Sequence, residues 1–445
     1  MRKTLLYSVL DQAALSAFNF VLALLLIRYW GDRPELFGTY SVVTAGALTL
    51  ISVQNALILS HMTVLRPRMS SEQQETALLS MFWSANAVLT IAAMIVTFVI
   101  TALASDGANP MLGLAAALYV GATLIREYTR NYHFSFFNAI AVLNLDALSL
   151  ALSTLAIAVV WYTQPAVTLD ALLIILGVSA FVASIPAILP HRARFRLSFD
   201  GDARGTYRTV WRDQSRWALL SVLSTEFQNR GYVFVVALAF GTTYVALLQA
   251  AALLFRPVQL LIHAWGRLAR AIQSEHFAAM RYAEARKFTW LSLAAFAVIY
   301  VLFIVALAAA WPLIKANIFP SSFSDLEMTI VLWSIVTAIS IVSGVFSLEM
   351  QCMIKFRELS YAAMAGACAC ACVLALSVII GDFRGSVLAV IAGNVTVLAI
   401  IAWVVVSSDK DMAAQPDNVD AEHASVDVPF PPLSSANAVT GKGRS

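Results

Sequence analysis

Apolar runs of roughly 17–25 residues follow one another along the whole chain, the length an α-helix needs to cross about 30 Å of hydrocarbon. Read this way, the spans fall near residues 4–27, 38–60, 77–102, 111–124, 136–162, 169–189, 217–240, 244–264, 289–311, 327–347, 361–381 and 386–406. The fourth is short, and its Ala and Gly residues blur its ends. The first run, Leu5 to Ile27, is too long for a signal-peptide core and is interrupted by Asp11, Gln12 and Asn19, so it reads as a retained span. The pattern predicts an all-α polytopic membrane protein with about twelve transmembrane helices.

The basic residues give this layout a direction. With the N-terminus in the cytoplasm, 23 of the 29 Lys and Arg fall in cytoplasmic segments. They include Arg2, Lys3, Arg66, Arg68, Arg126, Arg130, the seven arginines from Arg192 to Arg216, and Lys410 in the tail. Arg28, Arg33, Lys315 and Arg384 fall outside, and Arg230 and Arg256 lie within spans. This is the positive-inside bias, and an even number of spans puts both termini in the cytoplasm.

The longest internal connection is basic and divides the spans six and six. The expected domains are a six-helix lobe over 1–190, a cytoplasmic linker over 191–216, a second six-helix lobe over 217–406 and a disordered tail over 407–445. An internal echo fits this division: Ser16 and Asn19 align with Glu226 and Asn229, and Val53-Gln54 with Val258-Gln259. An even number of helices per half makes the two repeats parallel. In transporters built this way the substrate site lies near the midplane between them.

Composition strengthens the membrane reading. The chain is 60% apolar and 12% charged, with a mean hydropathy of +0.78, against roughly 45–50% and 25% in soluble domains. Lipid must therefore cover much of the surface. A formal charge of +3 gives no basic footprint for a nucleic-acid partner. Cys368, Cys370 and Cys372 alternate within one apolar run, so a helix points the middle thiol away from the other two and no metal site is expected.

Ionisable groups inside spans carry the functional information, because each costs about 2.5–3.5 kcal/mol at a helix centre unless it meets a partner or water. Five qualify: Asp11, Asp146, Glu226, Arg230 and Arg256. Glu226, Asn229 and Arg230 share one face of the seventh span. That spacing fits either a self-neutralising pair or an arginine facing a central cavity. Arg256 has no carboxylate three or four residues away. It suits an anion such as phosphate, which guanidinium binds bidentately, or a structural partner such as Glu226. Gln12, Ser16 and Asn19 form a stripe beside Asp11, and Gln54 and Asn55 add polarity to the second span. Helix–helix hydrogen bonding and cavity lining are both open for them. Asp146 reads as a lone acid, available to a coupling H+ or Na+ or to a neighbouring helix. Arg126 and Arg130 share the end of the fourth span as topology signals or lipid-headgroup contacts.

Enzyme signatures are missing. No histidine lies at mid-span, no outer loop exceeds about 16 residues on this layout, and no Gly-Lys-Ser/Thr phosphate loop occurs. The reading is a non-enzyme without a bound cofactor.

The opening stretch resembles a known family. Asp11-Gln12, Ser16, Asn19-Phe20, Arg28, Gly31, Phe37-Gly38-Thr39-Tyr40 and Gln54-Asn55-Ala56-Leu57 are similar to the first two helices of bacterial polysaccharide repeat-unit flippases. These belong to the multidrug/oligosaccharidyl-lipid/polysaccharide (MOP) exporter superfamily. Arg126-Glu127-Tyr128-Thr129-Arg130, Phe134 and Asp146 extend the resemblance over roughly the first 150 residues. It implies a fold like that of multidrug and toxin extrusion (MATE) transporters, with two six-helix lobes around a cavity of alternating access. The implied activity is transport of a polyprenyl-diphosphate-linked oligosaccharide across the bacterial inner membrane for lipopolysaccharide or exopolysaccharide synthesis. Membrane lipids and polysaccharide-assembly proteins are the implied partners. In such cavities cations hold the diphosphate, a role that falls here to Arg28, Arg230 and Arg256, with Glu226, Asn229, Gln12, Asn19 and Gln54 around them and Asp146 and Asp11 as ion-coupling candidates. The alternative is a cation-coupled drug antiporter of the same fold.

The charge bias generates a topology prediction. Reporter fusions after Arg204 and Asp411 should signal cytoplasm, and fusions near Gly241 and Pro320 should signal the outside. An outside signal at Arg204 would overturn the span assignment.

Overall fold

The computed structural model describes residues 2–69, 71–104, 109–163, 167–198, 201–323, 326–353 and 355–413. Helices account for nearly all of them. The first half of the chain contains α1 (Arg2–Tyr29), α2 (Pro34–Gln54), α3 (Ser60–Leu65), α4 (Glu72–Ala104), α5 (Pro110–Ser135), α6 (Ala139–Thr163) and α7 (Leu169–Ile188). After the connection come α8 (Gly201–Val210), α9 (Arg216–Glu226), α10 (Tyr232–Ala239), α11 (Thr242–Leu254), α12 (Arg256–Ala278), α13 (Tyr282–Ile318), α14 (Leu326–Cys352), α15 (Phe356–Ile380) and α16 (Gly385–Ala413).

Every one of the twelve expected segments is helical, but they are not equally apolar. Among the described residues nine helices are long and apolar enough to cross a membrane, and the bent pair α11–α12 makes a tenth. The other two expected segments are α5 and the run α9–α10. Both are too polar to qualify by composition, because they carry Arg126, Glu127 and Arg130 or Glu226, Gln228 and Arg230. Polar helices of this kind belong in the interior of a bundle, where partners compensate them.

α13 shows the opposite character. Only 6% of its most apolar window is buried, and Leu302 and Val305 are about 60% exposed. A surface of that composition faces lipid rather than water.

Helices meet where small residues let backbones approach. A Cβ on Gly38 of α2 would run into the Thr242 carbonyl at the start of α11, and one on Gly177 of α7 would press on the Tyr119 backbone of α5. α2 and α11 pack along one another and share an apolar core with α1, α7, α10 and α14. The two halves of the chain thus touch through α2 and α11. Three π-turns interrupt the helices, at Asn55–Leu59, Trp211–Ser215 and Phe227–Gly231. α1, the expected counterpart of the last of these, runs unbroken.

The basic linker carries structure of its own. Phe195 packs against Trp83, Tyr128 and Tyr132. The Ser198 amide donates to Ser84 at 2.7 Å, and Arg194 donates to the Tyr132 hydroxyl at 3.2 Å. Tyr207 on α8 stacks edge-on against Phe82. The connection therefore clasps the ends of α4 and α5.

The expected tail begins too early at 407, since α16 continues to Ala413; residues 414–445 lie outside the described residues. Contacts divide the chain into one unit through Ile401 and another from Ala402, whose described part is the last turns of α16.

Candidate functional site: two ion clusters beside a polar cavity

α5 is the most polar helix of the first half, and Arg130 is the reason it can be buried. Its guanidinium lies 2.7 Å from Asp146 on α6, 3.0 Å from Asp11 on α1 and 2.8 Å from Glu127 one turn back. Arg126 adds a longer approach of 3.8 Å to Asp146 and a 3.5 Å hydrogen bond to Ser149. Asp11 and Asp146 are nearly inaccessible, at 2% and 1% exposure. The cluster ties three helices together and holds three carboxylates against two guanidiniums, a formal charge of −1.

Two expectations change here, and Asp11, which stands beside the polar stripe of α1, turns to Arg130. Asp146 is not a lone acid, because Arg130 and Arg126 reach it from the neighbouring helix. Arg126 and Arg130 do not follow a span that closes at 124, because α5 continues to Ser135 and buries Arg130.

The second cluster centres on Glu226, at the end of α9. It pairs with Arg230 and accepts hydrogen bonds from Ser52 at 2.9 Å and from Thr49 at 3.5 Å, both on α2. The pair is thus self-neutralised and also welded to the other half of the chain. Between the clusters lies a cavity of about 400 Å³, lined by Ile51, Ser52, Asn55, Leu59, Glu127, Asn131, Ser221, Val222, Thr225 and Glu226. Of the two readings of this face, the self-neutralising pair is what forms; Glu226 lines the cavity, whereas Arg230 is not among its lining residues.

Arg256 stands apart. It opens α12 just after a 52° bend from α11, followed by Pro257. It is exposed and makes no ion pair or hydrogen bond among the described residues. Its electrostatic neighbours are the phenols of Tyr40 and Tyr232 and the like-charged Arg230. Tyr232 in turn accepts a 2.7 Å hydrogen bond from Gln249. A helix that restarts at a bend presents the positive end of its dipole, although here Pro257 has no N–H and the Gln259 amide already bonds the Phe255 carbonyl at 3.3 Å. Guanidinium, phenols and a helix N-terminus together form an environment suited to an oxyanion.

The remaining candidates scatter. Gln12, Asn19, Asn229 and Arg28 are exposed and have no partner among the described residues. Arg28 closes the last turn of α1, where a cation complements the helix dipole. Gln54 is fully buried, donating to Asn86 at 2.6 Å and to the Leu124 carbonyl at 2.8 Å. Its amide joins α2, α4 and α5 instead of lining open space.

Sequence reasoning missed a fourth buried acid. Glu349 of α14 is 1% exposed and lies 3.5 Å from Arg286 of α13. A span ending at 347 hides it, whereas the apolar pattern before it continues one turn further. Tyr40 and Tyr232 were also missed, since aromatic residues inside a span carry no signal of their own.

Comparison with solved structures decides the architecture. Lipid II flippase MurJ in an inward closed conformation superposes with a TM-score of 0.71 at 12% identity, over 90% of this chain and 87% of that one. A multidrug-resistance MATE transporter of the MOP superfamily in its inward-facing conformation gives 0.67 at 12% identity, over 88% and 95%. An outward-facing MATE structure gives 0.58 at 12% identity, over 91% and 95%. The chain has the MurJ/MATE fold. No protein-family model matches the sequence, and no curated protein does. The likeness is therefore one of fold, in agreement with the architecture expected from the opening motifs.

The hub position of Arg130 has a direct consequence. Arg130→Ala strands three carboxylates in the interior, and breaking a buried pair from one side costs about 3–5 kcal/mol. The variant should be poorly inserted or degraded, and any purified remainder should melt well below wild type in detergent. Asp11→Asn, which keeps a hydrogen-bonding group, should lose much less. Equal thermal stability of Arg130→Ala and wild type would refute the hub.

Proposed function

We propose that this chain is a MOP-superfamily transporter that flips a polyprenyl-diphosphate-linked oligosaccharide across the bacterial inner membrane, serving surface-polysaccharide synthesis. The observation that carries the reading is Arg256: an uncompensated guanidinium at a helix break, beside two phenols and a second arginine. A charge within a span must face an anion or a water-filled cavity, and a travelling diphosphate entering such a cavity supplies the anion. Charge-assisted bonds from guanidinium to phosphate are among the strongest a site can make. Arg230 stands next in line, tempered by Glu226. The motif resemblance of the first 150 residues and the likeness to a lipid flippase point the same way.

MATE transporters share the fold, so a cation-coupled drug antiporter is the competing function. Arg256 weighs against it, because an unpaired guanidinium repels an organic cation and attracts an anionic lipid headgroup.

We assign ion coupling to the cluster of Asp11, Glu127 and Asp146. Its surplus carboxylate can be balanced by one proton or one monovalent cation, which links occupancy of that charge to the packing of α1, α5 and α6.

Two outcomes are expected. Arg256→Ala should abolish restoration of surface glycan in a deletion strain at normal protein abundance, and Arg256→Lys should restore it only in part, because ammonium keeps the charge but loses the planar fork. Full complementation by Arg256→Ala would make Arg256 structural. In reconstituted vesicles, Asp146→Asn should flatten the dependence of transport on a proton or sodium gradient; an undiminished dependence would remove Asp146 from coupling.

A further inference from the structure

The polar cavity between α2, α5 and α9 has a chemistry different from that of Arg256. Ser52, Asn55, Asn131, Ser221 and Thr225 line it with Glu127 and Glu226, beside the apolar Ile51, Leu59 and Val222. Both acids are already compensated on their own helices. Glu226 pairs with Arg230, and Glu127 pairs with Arg130 with Arg126 close by. The surplus charge of the neighbouring cluster is shared among Asp11, Glu127 and Asp146, of which only Glu127 lines the cavity. An organic cation entering here therefore meets carboxylates that each already face a guanidinium.

What the walls leave open is hydrogen-bonding capacity. Asn55 accepts from Ser60 at 3.3 Å through its oxygen, and its NH2 group has no partner among the described residues. Asn131 donates twice to Glu127 at 2.9 Å, leaving its carbonyl oxygen free. The Ser221 hydroxyl has no partner among the described residues, and Thr225 donates only to the Ser221 carbonyl at 3.0 Å. Free donors alternating with free acceptors, plus carboxylate oxygens with spare lone pairs, match a ligand that presents many hydroxyls and no net charge. A volume of about 400 Å³ lies within the range of small-molecule sites.

Resting on the flippase reading, we propose that this cavity is the carbohydrate subsite: it holds the first sugars of the lipid-linked glycan by hydrogen bonds to their hydroxyls, while Arg256 and Arg230 hold the diphosphate. The geometry orders the two parts. Glu226 is a wall of the cavity, Arg230 lies one helical turn beyond it, and Arg256 neighbours Arg230. A sugar seated against Ser221 and Thr225 then has its anomeric diphosphate on the Arg230 side.

The test uses the full-length protein, purified in detergent. The probes are undecaprenyl diphosphate and the lipid-linked saccharide pool extracted from a strain lacking this protein. Wild type should bind the saccharide pool more tightly than the bare lipid. The double variant Ser221→Ala/Thr225→Val should lose about fivefold per hydroxyl toward the saccharide pool and keep its affinity for bare undecaprenyl diphosphate. That retained binding also reports a folded protein. Arg256→Ala should weaken both probes. Equal loss on both probes, or none, in the double variant overturns the carbohydrate subsite and leaves the flippase reading standing. Failure of wild type to bind either lipid defeats the flippase reading itself. Tetraphenylphosphonium binding that the double variant abolishes would assign the cavity to a cation instead.

Discussion

A charge in hydrocarbon must be compensated, and the interior of this protein is arranged around that requirement. Arg130 draws Asp11, Glu127 and Asp146 onto one guanidinium, so α1, α5 and α6 come together at a point where none could sit against lipid. Glu226 does the same between the halves of the chain, where hydroxyls of α2 reach a carboxylate that Arg230 already pairs. Glu349 and Arg286 repeat the arrangement between α14 and α13. With these charges compensated, Arg256 is conspicuous because it is not.

The same arrangement joins the cavity to the contacts between helices. The cavity has an ion cluster on each side: Glu127 belongs both to its wall and to the Arg130 network, and Glu226 both to its wall and to the contact between α2 and α9. A ligand that hydrogen-bonds either acid competes with its arginine and so reaches the contacts of α1, α2, α5, α6 and α9. π-turns at Asn55–Leu59 and Phe227–Gly231 border this region. Such turns carry a locally looser hydrogen-bond ladder and recur at functional positions in helices.

Much of the fold was legible along the chain. Apolar runs of bilayer length are a local property, and each of the twelve gave a helix. Mid-span charges could also be singled out in advance, since any ionisable group in such a run demands an explanation. Boundaries were less secure. The fourth span closed at 124 on paper because Arg126, Glu127 and Arg130 look like a loop, and α14 closed before Glu349 for the same reason.

What the chain could not disclose was which charge meets which. Asp11 and Arg130 are 119 positions apart, and Ser52 and Glu226 are 174 apart. A helix fixes the spacing of neighbours on its own face but not the rotation of one helix against another, so partners across helices have no local signature. That is why Asp146 read as alone and Gln54 stayed open between cavity lining and helix–helix bonding, while Glu226–Arg230, an i,i+4 pair within one helical run, could be weighed in advance. Sequence by itself determined the class of protein and the residues under electrostatic strain. Tertiary packing decided which of them were relieved, because relief depends on side chains brought within a few ångströms by other helices, and it left Arg256 without an ionic partner among the described residues.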